Sequence, residues 1–261
     1  MNIVVCVKRV PDTAAEKKLD PNDFTLDRDS VESIMNPVDE YAVEEALKLR
    51  DGSGGGEVTI LTMGPEGADK NAVRKALALG ADKGMLVTDD RLHGSDAMAT
   101  AYVLALALAQ VDFDLCLLGS ESTDARTSLV PQALAQLMGM TALTDAKKLE
   151  VADGSVTVHR EEEGGYAVVR TDLPAIVSVV KGINEPRYAT LKGIMGAKQK
   201  EVQVLSGDDL GVDPEMVGLD GSKTEVIEAT PRPPKEQGEL VKDEGDGHVK
   251  LADFLQRNRF V

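Results

Sequence analysis

Between residues 2 and 119, short runs of β-branched and apolar residues alternate with longer stretches of helical period. Few arrangements other than a parallel sheet layered with helices satisfy that alternation. Asn2 to Val7 reads as a buried strand. Asn36-Pro37, followed by Asp39 and Glu40, opens a helix to about Arg50, with proline in the first turn and acidic charge at the positive end of the dipole. A Gly-rich turn (Gly52 to Gly56) leads into a strand over Val58 to Met63. A helix over Glu66 to Leu79 follows, with Ala68, Val73, Ala76 and Leu77 as its apolar stripe and Gly80 as its end. Gly84 to Val87, Ser95 to Val111 and Phe113 to Leu118 complete a β-α-β-α-β-α-β order. The fold class is α/β, a Rossmann-like parallel sheet with helices on both faces.

The texture changes after Gly139. Lys147 to Val151, Ser155 to Arg160, Tyr166 to Arg170 and Ala175 to Val180 read as short strands separated by Asp153-Gly154 and Gly164-Gly165 turns, and are expected as antiparallel additions to the sheet. From Ser206 periodicity gives way to Gly, Pro and Asp until a short helical signal at Val249 to Asn258. Two regions are expected: an α/β domain over residues 1–205, and an extended arm over residues 206–261 that needs a partner's surface.

A net charge of -16 opposes binding to nucleic acid or to an anionic membrane. With 3% aromatic residues and no Trp, stacking platforms for single strands are missing as well. No apolar run reaches the roughly 18 residues of a membrane span, and the opening MNIVVCVKRV does not read as a signal peptide, so a cytoplasmic protein is expected. Cys6 and Cys116 lie in apolar strand-like runs and read as buried core thiols. His93, His159 and His248 have neither metal-ligand spacing nor a nucleophile motif beside them, so no catalytic constellation and no metal site is expected.

Ligands of open α/β sheets bind beyond the carboxyl ends of the strands, which selects the segments after Val7, Met63 and Leu118. The richest is Ser120-Glu121-Ser122-Thr123-Asp124-Ala125-Arg126-Thr127-Ser128, which offers hydroxyls, backbone N–H groups and an arginine to a phosphate. An ordinary loop whose Ser and Thr cap the next helix accounts for the same residues. The Asn36-Pro37-Val38-Asp39 helix start suits an adenosine moiety, and a plain N-cap explains it equally. Neither the Gly-rich dinucleotide fingerprint nor a P-loop is present.

The stretch Asn184-Glu185-Pro186-Arg187-Tyr188-Ala189-Thr190-Leu191, continuing as Gly193-Ile194-Met195-Gly196-Ala197-Lys198-Gln199-Lys200, closely resembles the recognition loop of electron transfer flavoprotein β subunits. The likeness extends to Val7-Lys8-Arg9-Val10, Met35-Asn36-Pro37, Ala42-Val43-Glu44-Glu45-Ala46, Ala76 to Asp82 and Asp208 to Val212. It covers most of residues 1–213 and is weak over the last 48.

That resemblance implies a non-enzymatic electron-carrier subunit in a heterodimer with an α subunit. FAD would be shared with that subunit, and AMP would be a buried structural ligand. By position, Cys6, Asn36 to Asp39, Met63 and Ser120 to Ser128 would line the AMP site, and Glu161 would lie near the flavin. Tyr188, Ala189, Thr190, Leu191, Ile194 and Met195 would meet the partner, with Leu191 as an exposed anchor for acyl-CoA dehydrogenases. By hydropathy alone Leu191 reads as core. A quinone-linked oxidoreductase would take the electrons onward. Thr123 to Thr127 departs from the more acidic mammalian pattern, which leaves a bifurcating electron transfer flavoprotein, with a second FAD in place of AMP, as an alternative. A stress or regulatory adenine-nucleotide-binding protein is the rival from another class.

Overall fold

In a computed structural model of the chain, residues 1–68, 72–230, 233, 238 and 240–261 are described. The strand Ile3–Cys6 (β1) sends Ile3 and Val5 into one apolar core and Val4 and Cys6 into another, so it is covered on both faces, as its unbroken apolar run requires. Arg9–Pro11 (β2) and Ser33–Met35 (β3) then form a small antiparallel pair at the two ends of the excursion through residues 12–32. Helix α1 (Pro37–Gly52) packs Ala42, Val43, Ala46 and Leu47 into the first core.

Val58–Met63 (β4), Lys83–Val87 (β5) and Leu115–Gly119 (β6) follow as parallel strands, with α2 (Arg74–Leu79) and α3 (Ala97–Leu108) between them. The expected helix over 66–79 is helical at Ala68 and again from Ala72, with its regular α-helical part from Arg74 to Leu79. Its residues 69–71 lie outside the described residues, and Ala68, Val73, Ala76 and Leu77 are buried as the stripe requires. Helix α4 (Val130–Met138) ends on Gly139 in the left-handed conformation.

The second half departs from expectation first in the direction of one strand. Strands β7 (Thr141–Ala152), β8 (Ser155–Glu162) and β9 (Gly165–Asp172) form an antiparallel meander, but Ala175–Val179 (β10) is not an antiparallel addition. It inserts between β6 and β7 and runs parallel to both. All five of its residues are buried, which is the environment of a central parallel strand rather than of a half-exposed edge. Helix α5 (Leu191–Ala197) and strand β11 (Val202–Leu205) come next, the latter extending the sheet beside β5. The nine-stranded order is β11-β5-β4-β1-β6-β10-β7-β8-β9.

The first compact unit runs from Met1 to Ile227, past the expected boundary at residue 205. Leu210, Val212 and Val217 are buried in the second core, which holds this stretch on the body, and the short helix α6 (Gly218–Gly221) follows them. The second unit, Glu228–Val261, contains helix α7 (Gly247–Arg257). Val249, Leu251 and Phe254 of that helix are exposed, and the Phe254 and Phe260 rings lie 6.3 Å apart.

Candidate functional site

Successive strands β1, β4, β5 and β11 progress toward one edge of the sheet, whereas β6 and β10 lie on the other side of β1. The direction of winding therefore reverses between β1 and β6. Their carboxyl ends diverge into Val7 to Arg9 and Ser120 to Ser128, opening the crevice where α/β sheets receive ligands.

The first turn of α1 is built into that crevice. Asn36 does not cap its own helix. Its amide donates to Asp39 Oδ1 at 2.9 Å and to the carbonyl of Glu121 at 2.9 Å, and its Oδ1 accepts from Thr123 N at 3.1 Å. Asp39 also accepts from the backbone N–H of Lys8 at 2.8 Å and of Gly119 at 3.2 Å. One asparagine and one aspartate thus tie together the loop after β1, the start of α1 and the loop after β6. Burial pushes the Asp39 carboxyl up to about 7, against the opposing pull of the Asn36 amide, the two backbone donors and the Lys8 charge.

Asp124 forms the second knot. Its side chain is 1% exposed, with Lys8 Nζ at 2.8 Å and Arg28 Nη2 at 2.9 Å. Burial disfavours its charge, but Lys8, the Ser122 hydroxyl and Arg28 outweigh burial and hold the carboxyl well below the usual carboxylate range. Lys8 Nζ also donates to Ser122 Oγ at 3.3 Å. Lys8 and Arg28 lie in the candidate site without belonging to the residues expected to line it. The available signal was a basic pair, Lys8-Arg9, placed just beyond the end of a buried strand.

The Ser and Thr hydroxyls of the 120–128 loop do not cap α4, whose N-cap is Leu129 and has no side-chain cap. Ser120 to Asp124 are partly buried, while Ala125, Arg126, Thr127 and Ser128 are exposed, with Arg126 and Ser128 at positive φ. Three polar atoms on the segments that end at the crevice are buried without a partner among the described residues: Arg9 Nε, Thr62 Oγ1 and Thr123 Oγ1. Buried donors and hydroxyls left unpaired are costly, and a bound polar ligand is one way to satisfy them. The Lys8 and Arg28 cations and the Ser122 and Thr123 hydroxyls suit an anionic ligand of phosphate type.

Cys6 and Met63 stand at the ends of β1 and β4. Cys6 turns into the second core, its Sγ 3.8 Å from that of Cys116, and Met63 packs against the same cluster. Glu161 is exposed near the end of β8. It lines a cleft of about 530 Å³ together with Val38, Ser120, Glu121, Asp145, Lys147 and Lys181, so it shares one opening with the first turn of α1.

The 184–200 segment leaves apolar side chains in solvent. Tyr188, Leu191 and Met195 are 95%, 76% and 65% exposed, and Ile194 is exposed beside them, so Leu191 is not the core residue that its hydropathy suggests. Ala189 is half-buried, and Thr190 caps α5 by accepting from Gly193 N at 3.0 Å. Among the described residues no cluster of His, Cys, Asp and Glu fit to hold a metal is present, and no helix is long and apolar enough to cross a membrane.

Residues 23–210 match the electron transfer flavoprotein domain. The chain is 42% identical to the electron transfer flavoprotein subunit beta of Mycobacterium bovis, over 100% of this chain and 99% of the relative. It is 40% identical to the subunit of the same name in Clostridium acetobutylicum, over 92% of each. It is also 38% identical to the caffeyl-CoA reductase-Etf complex subunit CarD of Acetobacterium woodii, again over 92% of each. Taken with the Rossmann-like sheet and the crevice at its point of reversal, these matches establish that the chain belongs to the electron transfer flavoprotein β-subunit family.

Proposed function

We propose that the chain is the nucleotide-holding and docking half of a heterodimeric electron carrier. In this reading the α subunit and this chain share an FAD, with Glu161 on the flavin side. AMP occupies the crevice framed by Cys6, Asn36 to Asp39, Met63 and Ser120 to Ser128. The carrier takes electrons from acyl-CoA dehydrogenases of fatty-acid β-oxidation and passes them to a quinone-linked oxidoreductase in the cytoplasm. FAD supplies the redox chemistry when bound, and this chain positions, shields and docks without making or breaking bonds.

The observation that carries the reading is the crevice itself. Asn36 and Asp39 join three segments around it, and Thr123 Oγ1 and Arg9 Nε have no partner among the described residues. The exposed Tyr188, Leu191 and Met195 support docking, since a few apolar side chains on an ordered segment suit a transient redox encounter through a small interface. A second FAD in place of AMP is the other reading, favoured by the cleft of about 530 Å³ that opens beside the same helix start.

The test is to co-express the chain with the α subunit, denature the purified complex and quantify the released nucleotides by mass spectrometry. One FAD and one AMP per heterodimer are expected. Two FAD would favour the second reading, and the absence of flavin would overturn both.

A further inference from the structure

Helix α1 buries two consecutive carboxylates, Glu44 and Glu45, at 7% and 6% exposure. Adjacent charges on a helix surface are ordinarily solvated, and burying them costs heavily unless each is paired. Both find partners in the segment that leads to the docking residues. The Arg187 guanidinium donates to Glu44 Oε2 through Nε at 2.7 Å and to Oε1 through Nη2 at 3.1 Å, and its backbone N–H donates to Oε2 at 3.2 Å. Asn184 Nδ2 donates to Glu45 Oε2 at 2.9 Å and to the carbonyl of Tyr41 at 3.0 Å.

The far end of the segment is held against a different helix. A Cβ at Gly193 would stand 2.4 Å from the carbonyl oxygen of Ala78, so α5 approaches the end of α2 at a distance that only glycine permits. Arg74 Nη1 donates to the carbonyls of Ala197 and Lys200, both at 2.8 Å, and Lys200 Nζ donates to those of Leu77 and Ala81. Between these two clamps Tyr188, Leu191 and Met195 project into solvent. The segment is thus held by polar contacts at both ends and by the packing of Gly193 and Ala197 on the body, while Tyr188, Leu191 and Met195 remain free for a partner.

We infer that Glu44 and Gly193 are positioning residues for docking, holding residues 184–200 in the partner-ready conformation before a dehydrogenase arrives. The inference rests on the reading of this segment as the docking surface. A segment already ordered avoids an entropic cost on association, and apparent affinity falls in proportion to the fraction of molecules in the competent state.

The experiment uses the FAD-loaded heterodimer as electron acceptor for an acyl-CoA dehydrogenase, with hydrogen exchange followed in parallel. If Glu44→Ala lowers the docking-ready fraction to about a tenth, KM for the carrier rises about tenfold while kcat stays within about twofold. Flavin content is unchanged, and amides of residues 187–197 exchange faster. Glu44→Gln, which keeps an acceptor for Arg187, restores most of the loss. Gly193→Ala gives the same KM effect, and carries the test if Glu44→Ala fails to assemble. An unchanged KM in both Glu44→Ala and Gly193→Ala overturns the inference, whatever the exchange shows. Leu191→Ala separates the two levels: if it raises KM while the other two do not, only the positioning role falls, and if it leaves KM unchanged, the reading of Leu191 as anchor falls.

Discussion

The backbone N–H of Gly119 donates to Asp39 Oδ1 over 3.2 Å, fastening the end of the central strand β6 to the first turn of α1. A Cβ at position 119 would lie 2.4 Å from that oxygen and 3.1 Å from the backbone carbon of Val38. Gly119→Ala is therefore expected to push the helix start off the strand end. A loss of about 2 kcal/mol in unfolding free energy is expected from overpacking of this kind. Urea denaturation of the purified complex, with its nucleotide content assayed alongside, checks this.

Asp39 makes stability depend on pH in an unusual sense for a carboxylate. Its folded-state value is raised from 3.8 to about 7, so between those values the folded chain binds more protons than the unfolded one. The contribution is fully present below pH 3.8 and is lost as pH rises through about 7. Going from pH 5 to pH 8, the native protein should lose stability relative to Asp39→Asn, which carries no titrating proton there. Urea midpoints of the two proteins at both pH values provide the measurement, and parallel pH profiles would contradict the expectation.

Asp124 behaves in the opposite sense. Its folded-state value is depressed, so its contribution is present above the ordinary carboxylate range and is lost as pH falls through the folded value. Asp124→Asn removes the charge that Lys8 and Arg28 share and leaves one acceptor oxygen for the two of them, whose side chains keep partial access to water. A loss of about 2 kcal/mol is expected, discounted for that access. Thermal melts at pH 7 with and without added AMP would test it, and a stability equal to that of the native chain would discount the ion pairs.

Truncation separates the two parts of the C-terminal region. Removing residues 228–261 should leave the first unit folded and weaken association with the α subunit. Removing residues 206–261 also takes away Leu210, Val212 and Val217, each buried in the second core. At about 2 kcal/mol for each buried aliphatic side chain, the longer deletion should lower the melting temperature sharply. Circular dichroism melts and titration with the α subunit distinguish the two. Undiminished affinity after the shorter deletion would refute a wrapping arm.

Much of this protein was legible without coordinates. The apolar runs Ile3–Cys6 and Val58–Met63 and the proline-led start of α1 carry local signals strong enough to give the α/β class and the strand ends where a ligand belongs. Strand β11 has only four residues, too few to carry a legible period, and the parallel direction of β10 is not written in that strand's own residues.

What the chain decides locally is which segments become strands and helices, because backbone propensity and apolar period act over a few neighbouring residues. The wording from Asn184 to Leu191 that resembles the family's recognition loop is likewise a property of the sequence alone. Only the tertiary structure decided that Asp39 is buried among donors from Lys8, Asn36 and Gly119, that Asp124 gathers Lys8 and Arg28, and that Leu191 stands in solvent while Glu44 is buried. Those outcomes rest on pairings between groups up to 143 positions apart in the chain, as between Glu44 and Arg187. Burial and charge are set by what the fold brings together, and no local pattern encodes that.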